Sequence, residues 1–235
     1  MNDSIFLILL LFFIIKYYDK SNNDIYKLKK IYKTKLFNFN TLNYKYYNLF
    51  TRIQIIPRSS SSFISLLDKF KITNKDVFLD IGCGDGYNLL YINYFYKFKK
   101  IIGIEIDNNI FEICKYNINL INSNKIDIHN IDAIKYKISG DVNFIYLYNP
   151  FAKDYSQNNI DIKELNHYKK LILNIIFSYN NKKRKINIIF VNIIPINDKR
   201  KEILKLFISN FNLLEFGKIK LNIFQNVTYA IFQLH

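Results

Sequence analysis

The chain has 235 residues, of which 50% are hydrophobic, and it carries a formal net charge of +15. This length predicts one domain plus an extension, and the hydrophobic fraction excludes wholesale disorder. Two cysteines are too few for a zinc cluster and the three histidines lack metal-ligand spacing, so we expect no metal site and a reducing compartment.

The positive charge has two interpretations. It could form a selected binding surface for nucleic acid, an acidic protein or a membrane. It could also reflect compositional bias, because the chain is rich in Lys, Asn, Ile, Tyr and Phe, as an AT-rich coding sequence would make it. Arginine, the residue favoured for bidentate phosphate recognition, occurs only at positions 52, 58, 184 and 200.

The first 18 residues form a hydrophobic N-terminal segment, with an unbroken apolar run at 5–15. A helix of that length spans about 17 Å, against a hydrocarbon core of about 30 Å. The run therefore predicts either a membrane anchor or an apolar helix packed on the domain. If it enters a bilayer, the lysines at 16–35 keep the rest of the chain on the cytoplasmic side.

A helical extension is expected over 19–56, followed by the main domain over 57–235. The turn at 57–62 contains one proline and four serines, which can cap the helix that follows. Its apolar stripe comprises Phe63, Ile64, Leu66, Leu67 and Phe70.

The stretch Val77 to Ile81 is an apolar run typical of a buried parallel strand, and it leads into glycines at 82, 84 and 86. A dinucleotide fingerprint would require a glycine at 87, where this chain has tyrosine. The pattern instead predicts a different nucleotide-cofactor loop, which opens a helix whose free N–H groups attract an anion.

Further apolar runs predict strands at 101–106, 126–128, 142–148 and 186–191, with helices at 160–179 and 198–209. The basic stretch at 180–185 is either a solvated helix-to-strand loop or a phosphate-binding or nuclear-import patch. Two final strands, 213–221 and 227–234, are joined by too few residues for a crossover helix, so they should pair antiparallel.

The sequence Asp80-Ile81-Gly82-Cys83-Gly84-Asp85-Gly86 resembles motif I of the class I, seven-strand, S-adenosylmethionine-dependent methyltransferases. The resemblance covers 57–151 and downstream rests on strand order alone. It implies a doubly wound, Rossmann-like α/β fold with a mostly parallel sheet of order 3-2-1-4-5-7-6, whose last strand pairs antiparallel. It also implies S-adenosyl-L-methionine as the cofactor.

The same resemblance assigns the cofactor residues. The glycine loop, with Asp80, Gly82, Cys83, Gly84 and Gly86, would hold the amino-acid end. Glu105 would accept hydrogen bonds from both ribose hydroxyls, with Ile106 beside it. Asp132 and Ala133 would lie at the adenine edge, and Asn149 at the mouth of the site.

The segment Asn149-Pro150-Phe151 resembles motif IV, and its residues indicate the methyl acceptor. Asn149 would offer its side-chain carbonyl to a nitrogen nucleophile and Pro150 would fix the turn, while Tyr148 and Phe151 would hold an ammonium group by cation-π attraction. The less favoured alternative is that Asn149-Pro150 is a simple strand-ending turn.

Three functions stay open at this point. Lysine methyltransferases that combine a hydrophobic N-terminal segment with a Pro-containing turn and this glycine loop are similar, so a protein lysine is the first expectation. Adenine methyltransferases carry a second proline before the aromatic residue, which this chain lacks, so nucleic-acid methylation is the alternative. The third is an inactive, membrane-attached cofactor-binding or scaffold domain.

Overall fold

A computed structural model of the protein describes residues 66–148, 150–151, 162–182, 184–192, 201–220 and 226–234. The predictions made for 1–65, including the apolar run and the helical extension, lie outside these residues. So does the prediction for Asn149. Within the described ranges no helix combines the length and apolarity needed to cross a membrane.

Strands and helices alternate along the described chain, as the apolar runs predict. The elements are β1 Val77–Ile81, α1 Tyr87–Phe95, β2 Lys100–Glu105, α2 Asn108–Asn119, β3 Ile126–Asn130, β4 Phe144–Tyr148, α3 Ile162–Lys182, β5 Ile186–Val191, α4 Lys201–Ile208, β6 Asn212–Lys220 and β7 Asn226–Leu234.

The seven strands form one sheet of order β3-β2-β1-β4-β5-β7-β6. Strands β1 to β5 pair in parallel, while β7 pairs antiparallel to both β5 and β6. This confirms the predicted fold class and strand order. Because β1 and β4 are parallel neighbours, their carboxyl ends lie side by side, and the glycine loop and the segment after Tyr148 both begin there.

Helices cover both faces of the sheet, since β1 sends side chains alternately to two cores. Phe78 packs with residues of α1 and α2 such as Leu89 and Cys114. Leu79 and Ile81 pack on the opposite face with residues of α3 and α4. All five β1 residues are buried, as expected for the central strand of a parallel sheet.

Strand boundaries differ from the prediction in two ways. Some polar residues lie within a strand, and some apolar residues predicted to be in a strand lie outside it. β2 ends at Glu105, so Ile106 lies outside the strand and is 66% exposed. β3 continues to Asn130, because its backbone pairs with β2 as far as Glu105. Val142 belongs to a turn closed by its N–H to the Ser139 carbonyl, and β4 begins only at Phe144.

Candidate functional site

The glycine loop turns sharply between β1 and α1. Gly82 has φ +81° and Gly86 has φ +83°, a left-handed conformation that residues with a Cβ rarely adopt. A Cβ at Gly86 would also lie 2.8 Å from Sγ of Cys114. The N–H groups of Gly82 and Cys83 both donate to the Ile104 carbonyl, so the loop is fixed against the end of β2.

Glu105 joins this loop to the start of α2. Its Oε2 accepts from the Gly84 N–H at 3.1 Å and its Oε1 from the Asp107 N–H at 2.8 Å. Burial raises the pKa of Glu105, and these two backbone hydrogen bonds partly oppose that rise. Each carboxylate oxygen retains a lone pair for a further donor, such as the two hydroxyls of a ribose.

Asp80 is buried beneath the loop on the α1 side of β1. Burial raises its pKa to about 8; a side-chain hydrogen bond with Asn88 lowers it in part, and the nearby Glu105 charge adds to the rise. Its Oδ2 atom has no hydrogen-bond partner within the described part of the chain. A buried oxygen of this kind can accept from a cationic ligand group.

Asn130 fixes the end of β2, a role that the sequence patterns do not reveal. Its side-chain amide donates to the Glu105 carbonyl at 2.9 Å and to the Ile106 carbonyl at 3.3 Å. Ile106, the residue after Glu105, is exposed at this point. An apolar side chain in that place can pack on the flat face of a base.

Asp132 and Ala133 follow β3, as predicted, but they contribute differently. The Asp132 carboxylate accepts from the Ile134 N–H at 3.1 Å and is half-buried at the sheet edge. The Ala133 side chain is buried in the core on the α3 side, so only its backbone remains for a ligand.

The segment after β4 lies beside the glycine loop. A Cβ at Gly82 would be 3.5 Å from the Pro150 Cβ, so these two predicted motifs meet. Tyr148 and Phe151 are both half-buried. The Phe151 ring packs edge-on against Tyr168, with centroids 4.9 Å apart, and against His167 at 5.3 Å. Phe151 therefore anchors the turn on α3 with part of its surface.

The side chain of Cys83 points into the core rather than toward the crevice. Its Sγ lies 4.0 Å from Sγ of Cys114, and both thiols are buried. The buried Asn117 amide donates to the Asp85 carbonyl at 2.9 Å, which ties α2 to the loop. Gly103 leaves room for this packing, because a Cβ there would be 2.6 Å from Cδ1 of Leu89.

These residues fit a cationic nucleoside cofactor. The loop offers open space above Gly84, where a Cβ would meet no atom within 4 Å. Two buried carboxyls, Asp80 and Glu105, lie at this loop, and Ile106, which follows Glu105 in the chain, is exposed. The parts of the chain described contain no group of three His, Cys, Asp or Glu residues that could hold a metal ion.

The sequence matches one known family over half its length. The model of the protein-L-isoaspartate(D-aspartate) O-methyltransferase family matches residues 17–137. This range includes β1 to β3 and ends before β4. No curated protein matches the chain.

Three solved structures with a similar fold are described as methyltransferases. One from Pyrococcus furiosus is 19% identical with a TM-score of 0.56, covering 92% of this chain and 98% of that one. The precorrin-6y C5,15-methyltransferase of Geobacter metallireducens is 9% identical with a TM-score of 0.56, covering 77% and 89%. A SAM-dependent methyltransferase from Aquifex aeolicus is 12% identical with a TM-score of 0.50, covering 79% and 93%. At these identities the likeness shows the fold alone.

Proposed function

Because the chain belongs to the protein-L-isoaspartate(D-aspartate) O-methyltransferase family and is thus an S-adenosylmethionine-dependent methyltransferase, we propose that it methylates a nitrogen atom of a protein, the amine of a lysine side chain. The observation that carries this proposal is the closeness of Pro150 to Gly82, since a Cβ added at Gly82 would lie 3.5 Å from the Pro150 Cβ, which brings Pro150 beside the cofactor loop.

The cofactor would lie across the carboxyl ends of β4, β1, β2 and β3. Glu105 would accept from the two ribose hydroxyls, and Ile106 would pack on the adenine, with Asp132 near its amino group. Asp80 and the N–H groups of the glycine loop would hold the amino-acid end. The buried Glu105 supports this arrangement because its carboxylate is already aligned by Gly84 and Asp107.

When bound, the cofactor supplies a methyl group that its sulfonium has already activated for nucleophilic attack. The protein must then align the nucleophile with the methyl-sulfur bond, and this positioning can lower the barrier by several kcal/mol. A lysine amine must also lose its proton before it can attack. That proton would pass to water before the amine enters the site, since an amide carbonyl accepts hydrogen bonds but does not take up a proton. Asn149 would then orient the neutral amine, because its carbonyl would accept from the amine N–H and direct the nitrogen lone pair.

The exposed parts of Tyr148 and Phe151, whose buried parts pack on opposite faces of the sheet, would offer aromatic surface to that amine. An ammonium or methylated amine is attracted to such ring faces. The packing of Phe151 on Tyr168 fixes one wall of the acceptor site. Together these features favour an amine over a carbon acceptor.

An isoaspartyl carboxylate is the second candidate, because the matching family is named for that reaction. The match ends at residue 137, before Tyr148, so it covers the cofactor strands and not the residues proposed to meet the acceptor. A carboxylate needs no deprotonation and no aromatic cage, which is why the residues after β4 favour the amine.

Transfer of a radiolabelled methyl group to a protein extract distinguishes the candidates. Methylated lysine survives mild alkali, whereas a methyl ester on an isoaspartyl carboxylate is hydrolysed and releases methanol. We expect alkali-stable label in protein that yields methyllysine on complete hydrolysis. Alkali-labile label would instead establish the carboxylate.

Nuclease treatment and a binding measurement test the remaining alternatives. Label that RNase or DNase removes would make the protein a nucleic-acid methyltransferase. Cofactor binding without transfer to any extract would make it an inactive binding domain. A Glu105→Ala variant, which should not bind the cofactor measurably, serves as the control for label that does not depend on the bound cofactor.

We also propose that the enzyme works in a reducing compartment on the cytoplasmic side of any membrane it meets. The support is that Cys83 and Cys114 are buried free thiols. A disulfide-dependent secreted domain would pair such residues.

A further inference from the structure

The five parallel strands begin at one edge of the molecule, which we call the amino edge. It comprises residues 73–76, 97–100, 124–125, 139–143 and 184–185. Hydrogen bonds join these segments: the Lys99 N–H donates to the Asp76 carbonyl, the Ile101 N–H to the Lys125 carbonyl, and the Arg184 guanidinium to the Lys75 carbonyl. The amino edge is therefore one continuous surface.

This surface is strongly basic. Its basic residues are Lys75, Lys97, Lys99, Lys100, Lys125, Arg184 and Lys185, and all but the half-buried Arg184 are exposed. Its acidic residues are Asp76 and Asp141, and the Asp76 carboxylate is engaged by Thr73 and Asn143. Lys100 forms an ion pair with Asp127 of β3 at 2.9 Å. The remaining lysines leave a net positive edge.

The opposite edge of the sheet is less basic in the described part of the chain. Glu105 ends β2, and Asp85, Asp107 and Asp132 follow β1, β2 and β3, while the basic residues after β3 are Lys135 and Lys137. A uniform lysine bias would raise the basic content of both edges equally. The concentration of lysine at the amino edge of the described residues therefore favours a selected surface over a uniform compositional bias.

Two aromatic side chains stand at the rim of the amino edge. Tyr94 and Phe95 end α1, just before Lys97, and they are 54% and 50% exposed. Their rings contact each other edge-on with centroids 4.9 Å apart. Exposed aromatic residues among lysines are the composition of proteins that settle at a membrane–water interface.

We propose that the amino edge docks on an anionic phospholipid surface. Lysine dominates this edge, and lysine supplies diffuse attraction to anionic headgroups, whereas sequence- or phosphate-specific nucleic-acid sites favour arginine. Tyr94 and Phe95 enter the headgroup layer. Docking in this orientation turns the opposite edge of the sheet, which holds the cofactor crevice, away from the bilayer. The crevice then stays open to a protein acceptor in water.

The first test is flotation of the full chain with vesicles of phosphatidylcholine, with and without about 30% phosphatidylserine. The measured quantity is the ratio of binding to the two vesicles, since this removes any charge-independent contribution of residues 5–15. The variant combines Lys97→Gln, Lys99→Gln and Lys125→Gln. Each lysine is expected to strengthen binding to the anionic vesicle about fivefold, so this triple variant should lower the binding ratio by about 100-fold.

The matched control removes the same charge elsewhere. It combines Lys169→Gln and Lys170→Gln on α3 with Lys205→Gln on α4, all of which are exposed and lie within helices. The control should keep most of the anionic preference. Equal losses in the two variants, or no loss in the first, would overturn the proposal. So would a variant that binds RNA less tightly while its vesicle ratio stays at the wild-type value.

A second test locates the contact directly. The chain contains no tryptophan, so Phe95→Trp places a single indole at the amino edge. Its emission should shift to shorter wavelength with anionic vesicles and be quenched by brominated lipid. Phe216→Trp, at an exposed position of β6, is the control and should not respond. An unchanged emission from the Phe95→Trp variant, in a protein that floats with the vesicles, would show that another surface makes the contact.

Discussion

Replacing Glu105 with glutamine tests the cofactor site at its best-defined point. The two carboxylate oxygens accept from different backbone donors, Gly84 N–H at 3.1 Å and Asp107 N–H at 2.8 Å. Glutamine has one acceptor oxygen and one NH₂ group. Its NH₂ must face one of these N–H donors, and that same side can no longer accept from a ribose hydroxyl.

The expected loss follows from that geometry. A hydrogen bond to a charged acceptor contributes about 1.5–3 kcal/mol, so losing one ribose contact should raise the cofactor Kd by about 10-fold to 150-fold. Glu105→Ala removes both contacts and should abolish measurable binding. Because burial raises the pKa of Glu105, glutamine also relieves the burial of a charge, and we expect the variant to fold.

Isothermal titration of S-adenosylmethionine measures this change, and thermal unfolding shows whether the variant is folded. Glu112→Gln is the matched control, because Glu112 is an exposed carboxylate on α2 that pairs weakly with Lys115 at 3.9 Å. It should leave the Kd unchanged. A folded Glu105→Gln variant with wild-type affinity would refute the assignment of the ribose site.

Three further predictions concern the loop and the acceptor. Gly86→Ala should lower the free energy of unfolding by about 1–3 kcal/mol more than Gly84→Ala does. Both glycines have a positive φ, but only a Cβ at position 86 would clash with a neighbouring atom, Sγ of Cys114. Equal losses of stability in denaturant titrations of the two variants would contradict this. Burial raises the pKa of Asp80 from 3.8 to about 8. Between these pH values the folded protein keeps a proton on Asp80 that the unfolded chain has lost. The free energy of unfolding should therefore fall as pH rises through this range, by at most about 1.4 kcal/mol per pH unit. Asp80→Asn should flatten that fall in urea unfolding across this range, and an unaltered slope would exclude the burial effect. Asn149→Ala should keep the cofactor Kd but lower the methylation rate by roughly 100-fold, and a fully active variant would remove Asn149 from the reaction.

The positions of most strands were predictable because they are apolar runs separated by clear turns, whereas their order in the sheet was implied by the resemblance of the glycine loop to motif I of the methyltransferases. β5 lies at Ile186–Val191 as predicted, since its run is bounded by Lys185 and Asn192. The place of Glu105 was predictable for a related reason: an acidic residue that ends a buried strand stands at the sheet edge beside the preceding loop. Local pattern and fold agree at these positions.

The supporting contacts were not predictable, because they join residues far apart in the sequence. Asn117 and Asn130 hold the loop and the end of β2 through side-chain amides, yet asparagine is so frequent here that neither stands out. Gly103 lies inside an ordinary apolar run, and its contact with Leu89 depends on helix packing. The packing of Phe151 on α3 likewise follows from tertiary structure.

The most direct test of the central claim is a crystal structure of the protein with bound S-adenosylhomocysteine. We predict that both ribose hydroxyls lie within hydrogen-bond distance of the Glu105 carboxylate, with the amino-acid end over Gly82 and Gly84. A nucleoside bound elsewhere, or with its ribose turned away from Glu105, would contradict it.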